Sequence, residues 1–231
     1  MTPIDIQNWR KGQRAELLQR RQALAREALD EFRHRIDARL RRAFPDLAHG
    51  VTAFCWPYKN EYDARHLLAE LRRGGAVTAL PVVVAPRTPL IFREWHPGIP
   101  LKDGPLGIPY PPTGPAIEPD SVLLPVVGFD AGGYRLGYGG GFFDRTLAAI
   151  ARRPRGIAVA YEMQFIETIH PQPHDIPVDY VVTERGLYTR MPKDGLRFSD
   201  DSQRGYSSPP CYAAEIAPDY FGASPGGTCR E

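Results

Sequence analysis

The 231-residue sequence lacks the marks of an oxidising compartment, of a membrane and of a nucleic-acid surface. Its three cysteines, Cys55, Cys211 and Cys229, are odd in number and far apart. That excludes a disulfide framework and zinc-ligand spacing, so unpaired thiols in a reducing compartment are expected. No run of about twenty apolar residues occurs, and no basic-then-apolar leader opens the chain. The expectation is a cytoplasmic protein without a membrane partner. Charge of one sign is missing too: a formal net charge of +2 argues against duplex DNA or an anionic membrane. No Ser-His-Asp or Cys-His arrangement is evident, so nucleophilic catalysis by a side chain is not indicated.

What is present is ordinary globular material, 42% apolar and 24% charged. From Asp5 to Ala43 the apolar residues Leu18, Ala25, Leu29, Phe32, Ile36 and Leu40 recur at helical spacings, predicting one helix or two. The other faces carry Arg10, Lys11, Arg14, Arg20, Arg21, Arg26, Arg33 and Arg39, read mostly as a solvated basic face. Arg10 and Arg14 stand at i and i+4 and point the same way. Beyond them strands and helices alternate. Strands are predicted at Val51–Cys55, Ala76–Val84, Pro89–Trp95 and continuously over Ser121–Asp130, with the last at "GIAVA" and "YVVTE". Helices are predicted from Ala64 to Arg73, stopped by Gly74-Gly75, and over "FFDRTLAAIARR". Residues 95–120 read as a long irregular loop. The alternation predicts an α/β fold, an open and mostly parallel sheet with helices on both faces. Residues 1–190 are taken as one domain, and 191–231, rich in Ser, Pro and Gly, as a largely disordered tail.

Between the Ser121–Asp130 strand and the next helix lies "RLGYGGGFFDR", Arg135 to Arg145. A strand–glycine loop–helix order puts this loop at the carboxyl edge of the sheet, where open α/β folds bind ligands. Gly137, Gly139, Gly140 and Gly141 leave the backbone amides open to a close approach, and converging amides form an anion nest. A helix starting near Phe142 adds its positive end. The loop has neither the Gly-Lys-Ser/Thr ending of the P-loop nor the Gly-x-Gly-x-x-Gly of dinucleotide folds. Arg135 and Arg145 flank it with phosphate-binding guanidinium groups.

Asp144 stands in the first helical turn, and Asp175 in "HPQPHDIPVD". Two carboxylates suffice for Mg²⁺ when substrate phosphates complete its shell. A turn role for Asp175 is the competing reading. His170 and His174 are four apart, but Pro171 and Pro173 forbid the helix that would align them on zinc. In "FCWPYKNEYD", Trp56 and Glu61 offer a flat ring and a carboxylate suited to a planar heterocycle with hydrogen-bond donors.

Taken together these segments resemble the 5-formyltetrahydrofolate cyclo-ligase (methenyltetrahydrofolate synthetase) family, from about Arg10 to Thr183. The strongest block is "PVVGFDAGGYRLGYGGGFFDR", supported by Glu61, "GIPYP" and "DIPVD". The resemblance implies a fold akin to the NagB/RpiA/CoA-transferase group. It also implies ATP- and Mg²⁺-dependent cyclisation of 5-formyltetrahydrofolate to 5,10-methenyltetrahydrofolate. ATP contacts then fall on Arg10, Arg14, Arg135, Leu136, Gly137, Tyr138, Gly139, Gly140, Gly141, Phe142 and Phe143. Folate contacts fall on Trp56, Glu61, Tyr138, Gly139, Gly140, Gly141 and Phe142, and the magnesium carboxylates on Asp144 and Asp175. Arg135 and Arg145 are the expected catalytic cations. The expected partners are a reduced folate and ATP, with no nucleic acid, and monomer or homodimer both open. Two positions depart from the family pattern: Arg10 replaces a lysine, and Phe143 replaces a tyrosine. The alternative reading is a non-catalytic nucleotide- or folate-binding paralogue.

Overall fold

The N-terminal apolar spacing resolves into two helices. In the computed structural model, which describes residues 2–200, these are α1 (Pro3–Gln22) and α2 (Arg26–Ala43). Thr2 opens α1 with a reciprocal capping pair to Asp5, and Pro3 fills the first helical position, where a missing N–H costs nothing. At the other end the Asn60 side-chain amide donates to the carbonyls of Arg21 and Gln22, satisfying acceptors that a helix terminus leaves open. The buried residues of α1 are Leu17 and Arg21, which corrects the assignment of Arg21 to a solvated face.

Next come β1 (Val51–Phe54), α3 (Arg65–Arg73), β2 (Val77–Val82) and β3 (Ile91–Glu94). Gly75, at φ +107°, ends α3 in a backbone conformation that other residues resist. Inside residues 95–120, β4 (Lys102–Asp103) and β5 (Pro109–Tyr110) form a small antiparallel ribbon. Then follow β6 (Ser121–Pro125), β7 (Gly128–Asp130), β8 (Arg135–Leu136), α4 (Phe142–Ala149), β9 (Arg155–Val159) and β10 (Phe165–Ile166). The described chain closes with β11 (Tyr180–Val182), β12 (Leu187–Met191) and β13 (Gly195–Ser199).

Eight strands form one sheet in the order β13-β12-β11-β9-β6-β1-β2-β3. The five from β11 to β2 are mutually parallel, and β3, β12 and β13 are antiparallel additions at its margins. Successive residues point to opposite faces and feed two cores. Phe54, Leu123 and Ile157 pack with Ile36, Leu40, Leu67 and Leu68 of α2 and α3. Ala53, Val122, Leu124 and Ala158 pack with Leu147 of α4. Helices therefore cover both faces, as the pattern predicts.

Three expectations need correction. Ser121–Asp130 is not one strand: after Pro125 the chain leaves the large sheet, and β7 joins β8 and β10 in a separate three-stranded sheet. The Val126 carbonyl goes instead to the side chains of Arg21 and Gln164, at 3.0 and 2.6 Å. The helix expected through Arg153 stops at Ala149, because Ile150 turns extended at ψ 125°. Residues 191–199 do not begin a tail, since β12 and β13 pair from Leu187–Ser199 to Met191–Gly195. The rest of the expected tail, 201–231, lies outside the described residues.

Strand order reverses between β1 and β6: the chain runs from β1 to β2 on one side, and from β6 to β9 and β11 on the other. Loops leaving their carboxyl ends must diverge, and a crevice opens between them.

Candidate active site at the strand-order reversal

The crevice is a cavity of about 790 Å³, within the range of about 300–1,000 Å³ that small-molecule sites occupy. The loop after β1 gives it Cys55, Trp56, Tyr58 and Glu61, and the glycine loop gives it the run from Arg135 to Asp144. Arg10 and Arg14 reach it from α1, and His174 and Asp175 from the segment before β11.

The glycine loop is built to leave its amides open. Gly139 sits at φ +96° and Gly141, the N-cap of α4, at φ +61°. Only these two of the four glycines use the left-handed region. Gly141 caps the helix without a side chain, so nothing covers the first amides of α4. Among the described residues, no acceptor takes the backbone N–H of any residue from Gly137 to Gly141. The loop is held from outside through its carbonyls: Arg14 Nε donates to Gly137 O at 2.7 Å, and Arg145 donates to Gly140 O. Bonded carbonyls with free amides turn the positive side of each peptide toward the ligand.

Each aspartate is already paired. Arg135, only 8% exposed, donates to Asp144 Oδ1 at 2.9 Å and to Ile176 O at 2.5 Å. The Ile176 N–H also donates to Asp144 Oδ1, at 3.1 Å. Burial lowers the Arg135 guanidinium pKa, and the Asp144 charge works against that. Arg10 takes both Asp175 oxygens, at 3.3 and 2.5 Å, and donates to the carbonyls of Ile169 and His170. Burial would raise the Asp175 pKa, but the hydrogen bonds from Arg10 and the Gln172 amide outweigh it and hold it below the usual value. A lysine could not make this planar set of four bonds, so Arg10 has a structural role beyond its charge. Replacing Arg10 with methionine is expected to destabilise the fold by about 2 kcal/mol, the loss of charged hydrogen bonds. An unchanged urea midpoint would overturn that role. The sign follows from the pKa: Asp175 stabilises the fold above about pH 3.8, its unfolded value, and loses this as pH falls through its lower folded value.

Glu61 is the deepest acid of the cavity, 9% exposed. Its Oε1 accepts the Tyr138 hydroxyl at 2.6 Å, and its Oε2 accepts the Tyr58 N–H at 3.0 Å. Burial raises its pKa, partly offset by the Arg21 charge and these donors. Burial likewise pushes the Tyr138 phenol and the Cys55 thiol up. Trp56 lies beneath the Arg65 guanidinium, 4.4 Å from it, so its indole is braced from one side.

Thus the cavity gathers Arg10, Arg14, Trp56, Glu61, the run Arg135 to Asp144, and Asp175. Arg145 is not among its lining residues; its guanidinium sits 5.3 Å from the Phe142 ring centroid. Phe143 is partly buried: it packs against the core on the α4 face and also lines the cavity. Unforeseen walls come from Pro81, Val83 and Leu90, and from the β4–β5 ribbon. That ribbon presents Leu106, 66% exposed and at φ +63°. The "GIPYP" block was its signal, but its residues carried no chemistry from which to assign a place.

The 5-formyltetrahydrofolate cyclo-ligase family matches residues 6–184. The 5-formyltetrahydrofolate cyclo-ligase of Escherichia coli K12 is 33% identical over 173 residues, covering 71% of this chain and 94% of the relative. The NMR structure of Aquifex aeolicus 5,10-methenyltetrahydrofolate synthetase superposes with a TM-score of 0.68 at 28% identity, covering 85% of this chain and 99% of that one. A Mycoplasma pneumoniae 5,10-methenyltetrahydrofolate synthetase shares the fold, with a TM-score of 0.62 at 24% identity, covering 76% of this chain and 98% of that one.

Proposed function

Because the chain belongs to the 5-formyltetrahydrofolate cyclo-ligase family, we propose that this cavity is where it closes the formyl group of 5-formyltetrahydrofolate onto N10, with ATP as co-substrate. The protein is a ligase of folate metabolism. One observation carries the assignment of the site: acceptor-free amides of a glycine loop and a buried carboxylate line the same cavity. The parallel five-strand core and its order reversal support the finer placing of the fold with the NagB/RpiA/CoA-transferase group, and residues 1–190 extended through β13 as one domain.

The formyl carbon is a poor electrophile and its oxygen a poor leaving group. Moving the γ-phosphoryl of ATP to that oxygen breaks the bond to ADP and makes a phosphate ester. The N10 electron pair then attacks the carbon, phosphate departs with the C–O electrons, and the N10 proton is lost to solvent. Such a sequence asks the protein for positioning and charge neutralisation rather than a nucleophile. The amides from Gly137 to Gly141 and the start of α4 grip the phosphates. Arg14 keeps the loop's carbonyl side turned away, and Arg135 orients Asp144. Glu61 accepts hydrogen bonds from the ring N–H groups of the pterin, and Trp56 supplies a flat wall. Arg145 shapes the loop through Gly140.

Asp144 and Asp175 both line the cavity and would hold Mg²⁺, which takes one or two carboxylates with water and phosphate oxygens, Asp175 by giving up part of its pairing with Arg10. With these two carboxylates, water and the nucleotide phosphates would supply the rest of the ion's shell. Bound there, it would neutralise charge on the phosphates. Purified protein given ATP, Mg²⁺ and 5-formyltetrahydrofolate is expected to develop the methenyl absorbance, and none without ATP. Binding of both ligands with no product would favour the non-catalytic reading.

A further inference from the structure

Arg21 is 1% exposed and lines no part of the cavity, yet it spans the two loops that form it. Its Nε donates to Lys59 O at 2.8 Å and its Nη1 to Val126 O at 3.0 Å. Its Nη2 donates to the Tyr138 hydroxyl at 2.6 Å, with Tyr58 O at 3.3 Å and Glu61 Oε1 at 3.5 Å. The Tyr138 hydroxyl accepts from Arg21 and passes its own proton-side bond to Glu61. A guanidinium, a phenol and a carboxylate from three separate segments thus form one closed set.

The turn before Glu61 shows why a clamp is needed. Lys59 and Asn60 are consecutive non-glycine residues at φ +50° and +58°. Such residues stay left-handed only where surroundings over-determine them. Arg21 holds the Lys59 carbonyl, and Asn60 holds the carbonyls closing α1 around Arg21. We infer that Arg21 is a positioning residue for the reaction: it fixes the orientation and charge of Glu61 for the folate ring, and ties that acid through Tyr138 to the phosphate-gripping loop.

The inference rests on the functional reading above, and pH separates it from plain packing. The groups facing Glu61 are Arg21 from α1, Tyr138 from the glycine loop, Tyr58 on its own loop, Cys55 at the end of β1, and Tyr161 after β9. Arg21 is the only cation among them. Once Glu61 takes a proton it no longer accepts from the folate ring, so kcat/KM for folate falls as pH falls through its raised pKa. Removing the Arg21 charge raises that pKa further and moves the acid limb to higher pH.

The test compares Arg21→Lys, Arg21→Gln and Tyr138→Phe with the wild type. Both Arg21 variants are expected to raise KM for 5-formyltetrahydrofolate at least about tenfold, with KM for ATP within about threefold. The acid limb should move up by about one pH unit in Arg21→Gln and stay near its wild-type place in Arg21→Lys, which keeps the charge. Tyr138→Phe, which keeps the ring and its contact with Tyr58 but loses the hydroxyl bonded to Glu61, should move the limb in the same direction by less. Unchanged folate KM, equal rises for both substrates, or an unmoved limb in both Arg21→Gln and Tyr138→Phe would overturn the inference. If Arg21→Gln does not fold, the other two variants decide. Absence of product from the wild type would instead sink the functional reading. The ratio of 5-formyltetrahydrofolate affinities, measured calorimetrically for wild type and Arg21→Lys, would then still decide the role of Arg21.

Discussion

Turnover of the Asp144→Asn variant is expected to fall at least about 100-fold, the usual size for losing one charge-stabilising group at a reacting phosphoryl or oxyanion. The geometry explains why the fold survives. Asparagine keeps an Oδ1 that still accepts from Arg135 Nη2 and the Ile176 amide. What goes is the negative charge, and with it a carboxylate for the metal that accompanies the nucleotide. Arg135 is buried and already held below its usual pKa, so losing its counter-charge also costs stability, about 1–3 kcal/mol. Product absorbance and a urea titration on the same preparation separate the two effects. Activity within a few-fold of wild type would remove both the metal role and the charge role of Asp144.

Gly139→Ala is expected to raise KM for ATP about tenfold or more. Gly139 stands at φ +96°, a conformation alanine adopts only with strain, and its new methyl would sit 3.6 Å from the Arg14 Cζ. Relaxing that strain must rotate the loop amides, and an anion nest works only while its N–H groups converge. The fold should lose about 1–2 kcal/mol from the left-handed alanine. Gly137→Ala is the comparison for stability: its backbone is not left-handed and nothing lies within 4 Å of the added carbon, so its urea midpoint should barely change. Equal nucleotide KM values for Gly139→Ala and wild type would mean that the amides do not hold the phosphates.

Much of the fold could be read from local patterns. Continuous apolar runs such as Val122–Leu124 mark strands buried on both faces, and alternation with helices marks the parallel sheet. The glycine loop was legible because Arg135, Arg145 and Asp144 stand beside it; glycines alone would equally fit a tight strand-to-helix connection. The departures arise where a long-range partner outweighs local preference. Val126 and Val127 look like more of β6, yet their carbonyls serve Arg21 and Gln164 from other segments. β13 was missed because "GLRFS" has only a weak alternation and depends on pairing with β12. Arg21 was missed although a signal existed: Arg10, Arg14, Leu17 and Arg21 follow spacings of four, three and four, one helical face. Arg10 and Arg14 were placed at the nucleotide by the family resemblance, but Arg21 was left with the solvated basic face, and only the tertiary structure shows that it too points inward.

Arg10 meets Asp175 across 165 residues of sequence, and Arg14 meets Gly137 across 123. Helix α1 therefore completes its contacts in stages: Arg21 finds Lys59 38 residues on, while Arg14 and Arg10 wait for segments more than a hundred residues away. A nascent chain halted before Asp175 already has the glycine loop for Arg14 but lacks the carboxylate for Arg10, so the pocket closes only once synthesis has passed that residue.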